Sequence, residues 1–89
     1  MYNITDYSYK KAGELSLSIK PSTRKNKKID VYSDDDYLFS IGSLKNKDYP
    51  TYLQENTKVF ADNRKRLYHI RHKNDLKHFK GFVASYILW

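Results

Sequence analysis

In the segments 14–20, 29–31 and 37–41 apolar side chains recur at every second position, whereas from residue 48 onward they recur at every third or fourth. A strand sends alternate side chains to opposite faces, and a helix returns to one face about every 3.6 residues. This single change of period therefore divides the chain into a β part followed by an α part. With 89 residues the chain holds one small domain. The expected fold is α+β: a small three-stranded antiparallel sheet or hairpin followed by two or three short helices.

The expected elements follow from the same pattern. In residues 14–20, Leu15, Leu17 and Ile19 face one way and Ser16 and Ser18 the other, as in a half-buried strand that Pro21 ends. Ile29-Asp30-Val31 resumes the alternation. Tyr37-Leu38-Phe39-Ser40-Ile41 forms a third strand with Tyr37, Phe39 and Ile41 on one face, and Gly42 ends it. The turn at Ser33-Asp34-Asp35-Asp36 makes strands two and three a hairpin with a four- or five-residue loop. Asp48-Tyr49-Pro50 opens a short helix, because proline is tolerated where no amide partner is needed. Asp62 is placed to cap a longer helix to about Lys73, with Leu67, Ile70 and Tyr68 or Arg71 as its apolar edge. Phe82, Tyr86 and Trp89 are spaced as one helical face, although the run 82–89 also has the length of a strand. Residues 1–13 show no clear period and read as an N-terminal arm to a single small domain over 14–89.

Charged residues make up 30% of the chain and the net charge is +7, values that approach those of disordered chains. Nine Tyr, four Phe and one Trp argue for a folded chain, since disordered sequences are poor in large aromatic side chains. Most of these aromatics are expected in the core. Cysteine is absent, so disulfides and thiolate metal sites are excluded. No apolar run approaches the length of a membrane span. The N-terminus lacks the pattern of a secretory signal.

The positive charge is segregated. Lys20, Arg24, Lys25, Lys27 and Lys28 fall within nine residues that contain no acid. Arg64, Lys65, Arg66, Arg71, Lys73, Lys77 and Lys80 are opposed within their segment by Asp75 alone. Acids gather instead at Asp34, Asp35 and Asp36. Two basic segments of this kind suit a polyanion, by phosphate neutralisation and counterion release. They suit an acidic protein surface equally well. The candidate polyanion-binding residues are Lys20, Arg24, Lys25, Lys27, Lys28, Arg64, Lys65, Arg66, Arg71 and Lys73. Tyr32, Tyr37, Phe39, Tyr68 and Phe79 lie beside these segments, where exposed rings would stack on bases.

No catalytic constellation emerges. His69 and His72 share a helical turn, with His78 nearby, but flanking Arg66, Arg71 and Lys73 oppose a divalent cation. The histidines read as structural or phosphate-facing. The Asp34–Asp36 run lacks the glycine and distal glutamate of a calcium loop. Neither a cofactor nor a metal is expected, and the chain reads as non-enzymatic.

The stretch Arg64-Lys65-Arg66-Leu67-Tyr68-His69-Ile70-Arg71-His72-Lys73, followed after a spacer by Gly81-Phe82-Val83-Ala84 and Leu88-Trp89, resembles a group of small basic proteins encoded by giant eukaryotic DNA viruses and phages. Lys20-Pro21-Ser22, Lys27-Lys28 and Ile41-Gly42 leading to Asp48-Tyr49 extend the resemblance over roughly residues 15–89. The resemblance implies a viral setting and a motif of Tyr68, Arg71, His72, Gly81, Leu88 and Trp89 that acts in the fold. On this reading the chain is a virion structural protein, a minor capsid or cement component bound to larger coat proteins. The alternative is a nucleic-acid-binding protein that packages or organises viral DNA or RNA. Its expected location is the virion or the host cell interior, cytoplasm or nucleus.

Overall fold

The computed structural model describes residues 1–89, and the chain forms two compact units, residues 1–46 and 47–89. The fold class is the expected one: a three-stranded antiparallel sheet with helices, α+β.

The first unit holds α1 (Asp6–Glu14), β1 (Ser18–Pro21), β2 (Lys27–Ser33) and β3 (Asp36–Ser43). The strands lie in the order β1-β2-β3, with Ile19 opposite Val31 and Ile29 opposite Ile41. Ile29, Val31 and Ile41 are fully buried, and each such side chain contributes roughly 1.5–3 kcal/mol of burial. The centre of β2 is buried on both faces, because Lys28 and Asp30 are buried as well. Asp30 is satisfied there: Ser40 Oγ donates to its carboxylate, Tyr37 and Ser40 share a hydroxyl hydrogen bond of 2.9 Å, and Arg24 Nε lies 3.8 Å away.

Several details of this unit depart from the sequence expectation. Residues 1–13, read as an arm, contain most of α1, capped by Thr5, whose hydroxyl accepts from the Ser8 amide at 3.3 Å. The inward positions of α1 are Ser8 and Ala12, small residues that leave no apolar period to read. The first strand is confined to Ser18–Pro21, because the chain leaves α1 through Ser16 in a left-handed conformation (φ 58°). The hairpin loop is only two residues, Asp34 and Asp35, both left-handed (φ 49° and 70°), with Ser33 paired to Asp36. That is the backbone twist a two-residue hairpin requires. The third strand also carries an irregularity: Val31 pairs with Phe39 but Tyr32 pairs with Tyr37, leaving Leu38 as an extra residue. Tyr37 therefore stands with Ser40 and Asp30 and not beside Phe39 and Ile41. Gly42 does not end the strand but lies within it at φ 78°.

The second unit holds α2 (Tyr49–Glu55), α3 (Lys58–Arg71), a 3₁₀ segment (Lys73–Lys77) and α4 (Phe79–Leu88). Asp48 caps α2 by accepting from the Thr51 amide at 3.0 Å, with Pro50 in the first turn. α3 starts earlier than Asp62 would place it. Its cap is Thr57, which accepts from the Phe60 amide at 3.2 Å. Asp62 sits one turn inside, accepting from Tyr49 Oη at 2.7 Å and from Lys58 Nζ at 2.9 Å. The run 82–89 belongs to a helix, α4, which buries Val83, Ser85, Ile87 and Leu88. Gly81 lies inside α4 and not at a break. It is pressed against the 3₁₀ segment so closely that a Cβ there would stand 2.1 Å from the Asp75 carbonyl oxygen.

The core is aliphatic. Tyr49 is the one buried aromatic side chain; Tyr32, Phe39 and Tyr68 are half-buried, and Tyr37 and Phe79 are exposed. The expectation that most aromatics fill the core is thus corrected. The centre of each unit is filled by the narrower Ile, Val, Leu and Ala side chains, which leaves the rings at its margins.

Candidate polyanion-binding site

The displaced rings have a use at those margins. Lys20 Nζ lies 5.1 Å from the Tyr32 ring, Arg24 4.3 Å from Tyr37 and Lys28 5.3 Å from Tyr2. In the second unit Arg64 lies 5.5 Å from the Tyr52 ring and Lys65 4.8 Å from Tyr49. A cation over an aromatic face gains about 0.5–1 kcal/mol at an exposed site. The interaction fixes the stem of the side chain and leaves its charge in place.

The two sets of candidate residues differ in how much charge they present. In the first unit Lys28 is buried, Lys27 is half-buried and Arg24 is held toward Asp30, so Lys20 and Lys25 are the members that are exposed and make no ion pair. In the second unit nine Lys and Arg face four acids, a net +5 over residues 47–89. Those acids are largely engaged: Glu55 pairs with Lys47 at 2.7 Å, Asp62 with Lys58 and Asp75 with His72 at 2.7 Å. Arg66 donates to Asn63 Oδ1 at 3.0 Å, while Arg71, Lys73, Lys77 and Lys80 are exposed and make no ion pair. The density of free charge is therefore in the second unit, along the end of α3, the 3₁₀ segment and the start of α4.

The motif residues meet in the same unit. The Tyr68 ring is stacked on both His72 (centroids 4.2 Å, 21° apart) and Trp89 (4.3 Å, 8°). Tyr68 and His72 are one helical turn apart at the end of α3, and Trp89 follows α4, so the stack joins the two helices. His72 ends α3 and bonds Asp75, whose carbonyl meets Gly81. Leu88 is buried, while Arg71 is exposed. Five of the six motif residues thus hold the helices and the 3₁₀ segment in place, and the sixth adds to the free charge.

The histidines divide in the same way. Burial holds the His69 imidazole below its ordinary value of 6.5, and the nearby Lys65 charge pushes it in the same direction. His69 is neutral near pH 7 and adds nothing to the basic surface. Asp62 is held below the usual carboxylate range, first by Lys58 and then by the Tyr49 hydroxyl. The same bond to Asp62 raises Tyr49, with burial second, so Tyr49 remains the donor.

No family model, curated protein or solved structure matches this chain. Its surface residues and the resemblance of its Tyr68–Trp89 stretch are what bear on its role.

Those residues include some that the sequence does not signal. Val59 is 81% exposed, Ile70 56% and Phe79 58%, with Leu76 and Phe82 also exposed. The sequence places Ile70 on the inward edge of α3, but α3 turns Ala61 and Tyr68 inward. Val59, Asn63, Arg66 and Ile70, spaced i, i+4, i+7 and i+11, share the outward face.

Proposed function

We propose that this chain is a non-enzymatic viral protein, a minor structural component of the particle that docks on larger coat proteins. The observation that supports the reading is the outward face of α3, where Val59 and Ile70 flank Arg66. Protein interfaces take an apolar centre enriched in arginine, and exposed aliphatic side chains on either side of an arginine along one helix face match that composition. The resemblance of the Tyr68–Trp89 motif to small viral proteins supplies the setting. The test is assembly: Val59→Asp with Ile70→Asp is expected to remove the protein from purified particles while its circular dichroism is unchanged. Undiminished incorporation of that variant sinks the proposal.

A second reading, binding of nucleic acid, draws on a different observation, the exposed and unpaired Arg71 and Lys73 beside Arg66. On that reading affinity for duplex DNA falls steeply with salt. Arg66→Ala, Arg71→Ala and Lys73→Ala each lower the logarithmic salt slope by about one. Fluorescence anisotropy across a salt series measures both. Binding that is weak at every salt concentration removes this reading.

A further inference from the structure

Residues 71–82 form an unusual stretch of the second unit. Every residue in it except His72 and Gly81 is exposed, although it includes Leu76, Phe79 and Phe82. The stretch is nevertheless well anchored. His72 is stacked on Tyr68 and bonded to Asp75, and Gly81 closes against the Asp75 carbonyl, so the 3₁₀ segment is fastened to both α3 and α4. Phe79 and Phe82 are one turn apart on α4, and Phe82 stacks on Tyr86 with centroids 5.8 Å apart, giving one outward aromatic row. Between and beside these apolar groups stand Arg71, Lys73, Lys77 and Lys80, without ion pairs.

The chemistry of this corner selects among polyanionic partners. A phosphate backbone uses the four charges but has no place for Leu76, and stacking on bases uses rings and not aliphatic groups. The centre of a protein interface accepts the leucine and phenylalanines but is depleted in lysine, and three of the four cations here are lysines. An anionic lipid surface uses all of them. Aliphatic and aromatic groups enter the boundary between headgroups and acyl chains, and lysines on flexible stems reach headgroup phosphates and carboxylates. Charge complementarity and the interleaving of lysine with Leu and Phe thus argue for one occupant. We propose that residues 71–82 are a docking corner for an anionic membrane surface, one that lies on the surface and does not span it. This surface is distinct from the Val59–Ile70 face of α3, so the two readings stand or fall separately.

The test is sedimentation of the full chain with vesicles of phosphatidylcholine, alone or mixed with phosphatidylserine. Binding is expected to the mixed vesicles only. Phe79→Ser and Phe82→Ser are expected to weaken it by about tenfold each, with the net charge and circular dichroism unchanged. Lys73→Glu with Lys77→Glu and Lys80→Glu is expected to abolish it. Three outcomes overturn the proposal: no binding to either vesicle, binding to mixed vesicles that is indifferent to both phenylalanines, or binding to duplex DNA with none to lipid. The last two assign the corner to generic polyanion attraction and to nucleic acid, respectively.

Discussion

Replacing Gly81 by alanine sets two effects of known sign against each other. In a helix interior alanine is favoured over glycine by about 1 kcal/mol, because it loses less backbone entropy. At Gly81, however, the new Cβ would stand 2.1 Å from the Asp75 carbonyl oxygen, 2.8 Å from its carbon and 2.9 Å from the Asp75 Cβ. Two of these atoms are backbone, so relief requires the whole 3₁₀ segment to move away from α4. Overpacking of this kind costs about 1–3 kcal/mol and occasionally more, and an overlap so deep with backbone belongs at the upper end. The clash wins, and Gly81→Ala is expected to destabilise by about 1–2 kcal/mol net. Gly13 provides the matching case: it lies in the last turn of α1, and a Cβ added there would meet nothing within 4 Å. Gly13→Ala is therefore expected to stabilise by about 0.5–1 kcal/mol. Urea unfolding followed by far-ultraviolet circular dichroism measures both variants. Emission from Trp89, which sits in the stack joining α3 to α4, reports on the second unit specifically. A Gly81→Ala protein as stable as the parent, with unchanged emission, refutes the close approach of α4 to Asp75.

Two further outcomes follow from single groups. Asp30→Ala strips the buried Ser40 hydroxyl and Arg24 of their shared acceptor and is expected to cost about 1–3 kcal/mol, read by urea unfolding; Asp30→Ala combined with Ser40→Ala should lose less than the two separate losses summed. Because His69 titrates lower in the folded chain than its ordinary 6.5, its contribution to stability is complete above that value and is lost as pH falls through the folded value. Unfolding measured over a pH series should show this decline, and His69→Gln should flatten it.

The parts of the fold that are legible in the sequence are those whose period is carried by large aliphatic residues. Ile29, Val31 and Ile41 announce β2 and β3, whereas the aromatic spacing of Phe82, Tyr86 and Trp89 leaves 82–89 open between the helix α4 and a strand. Asp48 before Tyr49-Pro50 marks the start of α2 correctly, because proline fixes the position of its cap. The failures have physical causes as well. α1 buries Ser8 and Ala12, which have too little apolar surface to leave a signature. Asp62 is as good a cap by type as Thr57, but its carboxylate is claimed by Tyr49 and Lys58, partners that sequence spacing does not reveal together. The basic segments are visible as charge, yet composition does not show that Lys28 is buried, that Arg24 is drawn to Asp30, or that the free cations concentrate in residues 71–82. Exposed Val59, Phe79 and Leu76 escape any reading that assigns apolar residues to the interior.

The sheet of the first unit has two outer strands, and both are poorly suited to recruiting another strand. β1 is four residues long and ends in Pro21, which offers no amide for pairing. β3 is longer, but the extra residue at Leu38 and the left-handed Gly42 leave only Phe39, Ser40 and Ile41 as uninterrupted ladder. Strand edges this short or this bent do not template growth of a sheet from molecule to molecule. Such edges are expected to keep crowded copies of the folded chain from pairing strand to strand, even though its strands carry the β-branched residues on which fibrils thrive.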